Sequence, residues 1–270
     1  MKDLLRKLLS ERAPAFLSTY RGFRNRLRDK SAFEEINRAV KRAVYPKRAR
    51  PVVASGPFKG MVYLDETLWG PITPKWLGCY EAELHAVIEA IIKINYTRII
   101  NIGSAEGYYA VGLAKRCPSA EVFAFDIDSW SRRQCRKLAR LNHVDRRVVV
   151  AGNCPPVVLC DTIRRGETVI VCDIEGGEAI LLDPLSVPDL SCCDLLVEVH
   201  EGSRESHEIE MLLNGRFSST HDITRICAGD RPGRLTQQSD LDGRLGQYLT
   251  ARATDEKRGD GFVWLWLTRQ

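Results

Sequence analysis

Long apolar runs are missing from this 270-residue chain: the longest stretch without a charged side chain is Val148 to Cys160, 13 residues. A helix that crosses a bilayer needs roughly 18 or more apolar residues, so no such span is expected. Cysteine pairs at CxxC spacing are missing too; the nine cysteines are scattered, and adjacent Cys192 and Cys193 lack partners at zinc-site spacing. Cys117, Cys135, Cys172 and Cys227 read as small buried hydrophobes of a reducing, cytoplasmic setting. The opening MKDLLRKLLSERA has no unbroken apolar core and no small-residue cleavage site, so export is not expected. GxGxxG, GxSxG, HExxH and GxxxxGK(S/T) are absent, which weighs against hydrolases and P-loop enzymes. These absences exclude a zinc finger, a disulfide scaffold and a membrane channel.

What is present is ordinary globular composition, 28% charged and 44% hydrophobic, at a length that fits one large domain or a domain with an extension. The net charge of +5 is unevenly spread. Residues 1–50 hold 15 Lys/Arg against 5 Asp/Glu, and the remainder holds 25 against 30. A mildly acidic main domain is not expected to bind nucleic acid. In the basic fifth, Leu4, Leu5, Leu8 and Leu9 share a helical face, and Phe33, Ile36, Val40 and Val44 repeat at helical spacing. Three readings stand for this extension: helices docked on the domain, a basic amphipathic element on a partner protein or an anionic inner-membrane surface, or a disordered arm.

Residues 51–96 form a connecting segment and a first helix. Pro51, Gly56, Pro57, Gly60, Gly70, Pro71, Pro74 and Gly78 punctuate it, and Trp69 and Trp76 read as lids on a core or as a roof over a pocket. Tyr80 to Ile94 has helical period. From Arg98 onward, RIINI, EVFAFD, RVVVAG, TVIVCD and DLLVEVH read as strands separated by helices, the pattern of a parallel, doubly wound sheet. The helix RESHEIEMLLNG is expected to close at Gly215, 228–259 to be a polar excursion, and FSSTHDITRIC and FVWLWLTR to be two more strands.

The strand tips carry the chemistry. The first strand runs into Gly103-Ser104-Ala105-Glu106-Gly107-Tyr108, a glycine turn that lets backbone approach a ligand at a helix N-terminus. The second ends at Asp126, 23 residues after Gly103, where a carboxylate can accept both hydroxyls of a ribose; capping of the next helix is the plainer role. The third ends at Asn153 and Cys154, and Asn153 reads as an adenine contact or as a turn residue. The fourth ends in Asp173-Ile174-Glu175-Gly176-Gly177-Glu178 and the fifth in Glu198-Val199-His200-Glu201. Carboxylates at such tips can serve as a general base or hold a hard cation such as Mg²⁺, and His200 is the best-placed histidine for proton transfer. Salt bridging to arginines is the structural alternative for these acids.

Residues 97–201 resemble class I S-adenosylmethionine-dependent methyltransferases, and specifically the FkbM-type family. The loop 103–109 is similar to that family's GxxxGxY, Asp126 takes its acidic ribose position, and 173–178 matches D-x-E-G-x-E. Leu195 to Glu201 matches the strand that follows. Leu77-Gly78-Cys79-Tyr80-Glu81-Ala82-Glu83-Leu84 and Arg216-Phe217-Ser218-Ser219-Thr220-His221-Asp222-Ile223 resemble segments of an uncharacterised bacterial subgroup. The resemblance implies a seven-stranded α/β Rossmann-like methyltransferase domain over 97–270, its last strand antiparallel, behind a helical extension at 1–50. It implies S-adenosylmethionine as cofactor, with Gly103, Ser104, Glu106, Gly107 and Tyr108 at the methionine part. Asp126 and Ile127 would hold the ribose, and Asn153 and Cys154 would border the adenine. Asp173, Glu175 and His200 would line the acceptor side, with any metal on Asp173 and Glu175, and the acceptor would be a carbohydrate or natural-product hydroxyl. Asn101 and Asn153 depart from the class, which often has acids there, and an amide brings no charge to pair with the methionine ammonium. A nucleotide-dependent oxidoreductase, or a non-catalytic adaptor docking through its basic arm, are the rival readings.

Overall fold

Five short apolar runs form five parallel strands, β1 (Arg98–Ile102), β2 (Glu121–Phe125), β3 (Val148–Ala151), β4 (Thr168–Cys172) and β5 (Asp194–His200). Two further strands, β6 (His221–Cys227) and β7 (Phe262–Arg269), complete one sheet in the order β3-β2-β1-β4-β5-β7-β6. β7 runs against both β5 and β6, so β6 itself points the same way as the first five. The structure, a computed structural model, describes residues 30–45, 50–67, 70–200, 204–228, 238–256 and 262–270; His200 and a few helix-end residues are described by backbone alone. Leu4 to Leu9, Trp69 and Glu201 lie outside the described residues.

β1 and β4 are buried along their whole length, as expected of central parallel strands covered on both faces. Alternation along β1 sends Ile99 into one core layer and Ile100 and Ile102 into the other. The first layer is covered by helices α1 (Lys30–Val44), α2 (Thr73–Leu77), α3 (His85–Ile94), α4 (Tyr108–Arg116) and α5 (Ser129–Leu141). The second is covered by α6 (Pro156–Thr162), α7 (Glu178–Leu181) and α8 (Arg204–Phe217). Local signals set several boundaries. Asp128 accepts the Ser131 N–H to start α5, and Asn95 takes a left-handed conformation to stop α3.

Three expectations change. Gly215 does not close α8, which continues to Phe217; that ring is wholly buried against His221, and its burial outweighs one glycine's helix penalty. The polar excursion contains helices α9 (Gln238–Leu245) and α10 (Gln247–Ala253), which pack on α1. Cys227 is half-exposed, whereas Cys117, Cys135 and Cys172 are buried as expected. In α1, Ile36 and Val40 are buried one turn apart and Lys41 pairs with Asp65 at 2.5 Å, so the apolar stripe of 30–44 is spent on the domain. Among the described residues no helix is long and apolar enough to cross a membrane. Trp76 is fully buried, its indole N–H donating to the Leu64 carbonyl, so it is a piece of core.

Candidate functional site

Parallel strands deliver the loops after β1, β2, β3 and β4 to one edge of the sheet, where the sequence places its candidate residues. The loop after β1 is held from three sides. The N–H groups of Gly103 and Ser104 both donate to the Phe125 carbonyl at 2.9 Å. Gly103 has φ +78°, and a Cβ there would lie 1.6 Å from the Asp173 carbonyl oxygen. Gly107, at φ +98°, faces Cys135 Sγ at 2.8 Å in the same sense. Both glycines therefore serve close packing, onto the β4 tip and onto α5. Between them Ala105 sits at φ +46°, a left-handed conformation that a residue with a Cβ seldom takes.

Asp126 at the β2 tip is the other side of this loop. Its carboxylate accepts the Ala105 N–H at 2.8 Å and the Asp128 N–H at 2.7 Å. Asp128, not Asp126, caps α5, so the capping alternative for Asp126 is met by its neighbour. Burial pushes the Asp126 carboxyl up to about 6, against the opposing pull of those two N–H groups. Ile127 beside it is 61% exposed, an apolar side chain held out at the strand-tip edge of the sheet. Asn153 is exposed at the β3 tip, but Cys154 packs into the second core layer, where burial pushes its thiol up to about 12.

Three loop side chains turn inward. Tyr108 is the hub of an aromatic cluster, with Phe58, Tyr63, Tyr80 and Tyr109 at ring distances of 5.1 to 5.9 Å. Ser104 is buried, and among the described residues its Oγ has no hydrogen-bond partner; nor has Oδ1 of buried Asn101, whose amide N–H₂ donates to the Val171 carbonyl. Glu106 is wholly buried. Its Oε1 accepts from Tyr63 OH and Thr67 OH at 2.9 Å and from Lys75 Nζ at 2.5 Å. Burial alone would raise the Glu106 carboxyl, but the charge and hydrogen bond of Lys75 outweigh it and hold it below its ordinary value. Glu106 thus turns Oε1 to the 50–78 segment, where its described contacts are internal. Tyr63, Thr67 and Lys75 are the participants that sequence reasoning missed.

At the β4 tip the acids divide. Asp173 is half-buried beside the glycine loop, its N–H donating to the Ile102 carbonyl. Glu175 is half-buried with φ +57°. Glu178 is buried and accepts the N–H groups of Ile174 and Gly176, so the last acid of the motif closes its own turn. On β5, Glu198 is buried opposite Trp264. Since Cys172 pairs with Val197, the next residues, Asp173 and Glu198, stand side by side on the same sheet face. His200 ends β5 in register with Phe262, and its side chain lies outside the described residues. Among the described residues no group of three or more His, Cys, Asp or Glu side chains could hold a metal ion, so the expected Mg²⁺ site on Asp173 and Glu175 finds no third ligand there.

No family model and no curated protein matches the chain. Solved structures with a similar course of chain include an O-methyltransferase described as putative from Klebsiella pneumoniae, at 12% identity and TM-score 0.47, covering 88% of this chain and 90% of that one. Others are an O-methyltransferase from Bacillus cereus in complex with S-adenosylhomocysteine (11%, TM-score 0.45, 88% and 91% covered) and the tomaymycin-synthesis O-methyltransferase from Streptomyces achromogenes with S-adenosylmethionine (13%, 0.45, 88% and 90%). Likenesses this remote say nothing of what this chain acts on. The seven-stranded mixed sheet, with its last strand antiparallel, is an α/β, Rossmann-like doubly wound fold.

Proposed function

We propose that the protein transfers a methyl group from S-adenosylmethionine to an oxygen of a small-molecule or glycan acceptor, in the manner its FkbM-type motifs suggest. The observation that carries this reading is the pairing of a packed glycine loop with Asp126 across the tips of β1 and β2. The residues present fit the group. Asp126 supplies a carboxylate for ribose hydroxyls, Ile127 an open apolar surface for a flat ring, and Asn101 Oδ1 and Ser104 Oγ are polar atoms beside the loop without partners among the described residues. The cofactor, when bound, supplies an electrophilic methyl group on a sulfonium.

The chain's own part is alignment and proton removal. In-line transfer to a hydroxyl needs the acceptor oxygen held on the axis of the breaking bond and its proton taken away. Asp173 and Glu175 stand past the ribose position and are assigned to the acceptor side, with His200 at the end of the adjacent strand. Calorimetry with S-adenosylhomocysteine is the direct test: a dissociation constant below about 1 mM, on the order of −4 kcal/mol or better, is expected, and no heat from folded protein would remove the reading.

Glu175 offers a second measurement. A left-handed non-glycine residue costs about 1–3 kcal/mol and persists where the surroundings or the chemistry require that side chain. Glu175→Gly is expected to raise the melting temperature by about 2–4 °C, because glycine takes this conformation freely. Turnover with an active acceptor should fall at least about tenfold. A variant that is both less stable and fully active would return Glu175 to structure.

A further inference from the structure

The buried contact between the glycine loop and the 50–78 segment does more than fill space. One carboxylate oxygen, Glu106 Oε1, collects donors from Tyr63, Thr67 and Lys75, residues that lie 31 to 43 positions upstream. The ion pair is shut off from water, with side-chain exposures of 3% for Lys75 and 0% for Glu106. Lys75 also stands over the Tyr80 ring at 4.8 Å, so its position is set from two directions. A buried ion pair is seldom a better source of stability than an apolar pair of the same volume; its distinctive property is that it admits one geometry. The geometry at stake adjoins it. Ala105, immediately before Glu106, holds the left-handed φ of +46° while its N–H is tied to Asp126. Asp126 thus fixes the loop on the strand-tip side, and the Lys75 group fixes the next residue from the opposite side.

We propose that Lys75, Tyr63 and Thr67 act through Glu106 as a clasp that keeps Ala105 and the glycine loop in the shape that receives the nucleoside ligand. This inference rests on the methyltransferase reading for the identity of the ligand. Tyr63, Thr67, Lys75 and Glu106 are then positioning residues for that site, and none of them touches the ligand. A clasp explains why a lysine is sunk beside Glu106 in a layer built largely of apolar and aromatic side chains. It also explains how a non-glycine residue is kept at position 105.

The test is a rescue experiment on the full chain. Lys75→Met/Glu106→Gln removes both charges at nearly constant volume, and the introduced amide oxygen can still accept one hydroxyl. The melting temperature of this double variant should stay near that of the unaltered protein, while S-adenosylhomocysteine affinity drops about tenfold or more. Adding Ala105→Gly, which takes a left-handed conformation without strain, should recover at least about threefold of the loss. Tyr63→Phe, which keeps the ring and the ion pair, should show the same pattern at smaller size, so a double variant that fails to fold leaves the question answerable. Amide hydrogen exchange without ligand reads the clasp by itself. Exchange at 105–107 should quicken about tenfold in the clasp variants while the amides of β1 and β4 keep their protection. Unchanged exchange and affinity in folded variants, or no recovery with Ala105→Gly, would overturn the clasp. If the unaltered protein binds no S-adenosylhomocysteine, the methyltransferase reading falls, and the exchange comparison alone then decides the clasp.

Discussion

Gly103→Ala is expected to yield little or no folded protein. The added methyl group would lie 1.6 Å from the Asp173 carbonyl oxygen and 2.7 Å from its carbon, contacts that real side chains never make. Both neighbours are backbone at the end of a fully buried central strand, so neither can swing aside. The φ of +78° adds strain of its own. The net stability of a domain is about 5–15 kcal/mol, and a clash of this kind belongs with the exceptional substitutions that cost about 4–5 kcal/mol or more. Gly176→Ala makes the control. Its φ is +103°, yet nothing lies within 4 Å of the new Cβ, so it should cost about 1–2 kcal/mol and leave a cooperative melt. Comparable melts for the two variants would show that β1 and β4 do not meet as closely as described.

The second large effect concerns Asp126. Asp126→Ala should weaken S-adenosylhomocysteine about 10- to 150-fold, the range of a lost hydrogen bond to a charged group. The accompanying pH dependence has a definite sign. In the ligand-free protein the carboxyl titrates near 6 rather than at its ordinary 3.8, so ionising it costs stability as pH rises between those values. Ribose hydroxyls donate to the ionised form and pull the value back down. Affinity should therefore increase about tenfold between pH ~5 and pH ~7. Asp126→Asn, which cannot ionise, should bind weakly and without that slope. Calorimetry at the two pH values separates this from a merely structural aspartate, whose replacement would lower the melting temperature and leave no pH-dependent binding to lose.

The strand tips are legible in the sequence because each parallel strand is a short apolar run ended abruptly by glycine, aspartate or asparagine. Runs of that kind occur where both faces of a strand are covered. Gly103, Asp126 and Asp173 can be placed from spacing alone. Glu106 cannot. It lies inside a glycine motif, and the donors that claim it come from a segment with no period, interrupted by proline and glycine. A lysine between Pro74 and Trp76 gives no sign that its five-residue helix is buried throughout. The end of α8 is obscured for a related reason, since the cue at Gly215 is local while the burial of Phe217 depends on β6. The helices of the β6–β7 excursion are hidden by polar composition, because what holds them is packing on each other and on α1, nearly two hundred residues upstream.

The packing of α1 on α9 and α10 carries a consequence for synthesis on the ribosome. The partners are separated by about two hundred residues of chain, which at typical elongation rates takes roughly 10–40 s to translate. Through that interval Ile36 and Val40 have α2 as a neighbour but lack the helices that complete their cover. The nascent chain therefore carries a partly covered apolar stripe until residues 238–253 emerge. Translation arrest between residues 228 and 238 leaves a polypeptide whose five parallel strands are made, whose sheet still lacks β7 and whose α1 is only half covered, and such truncated chains are the ones that chaperones and proteases will meet first.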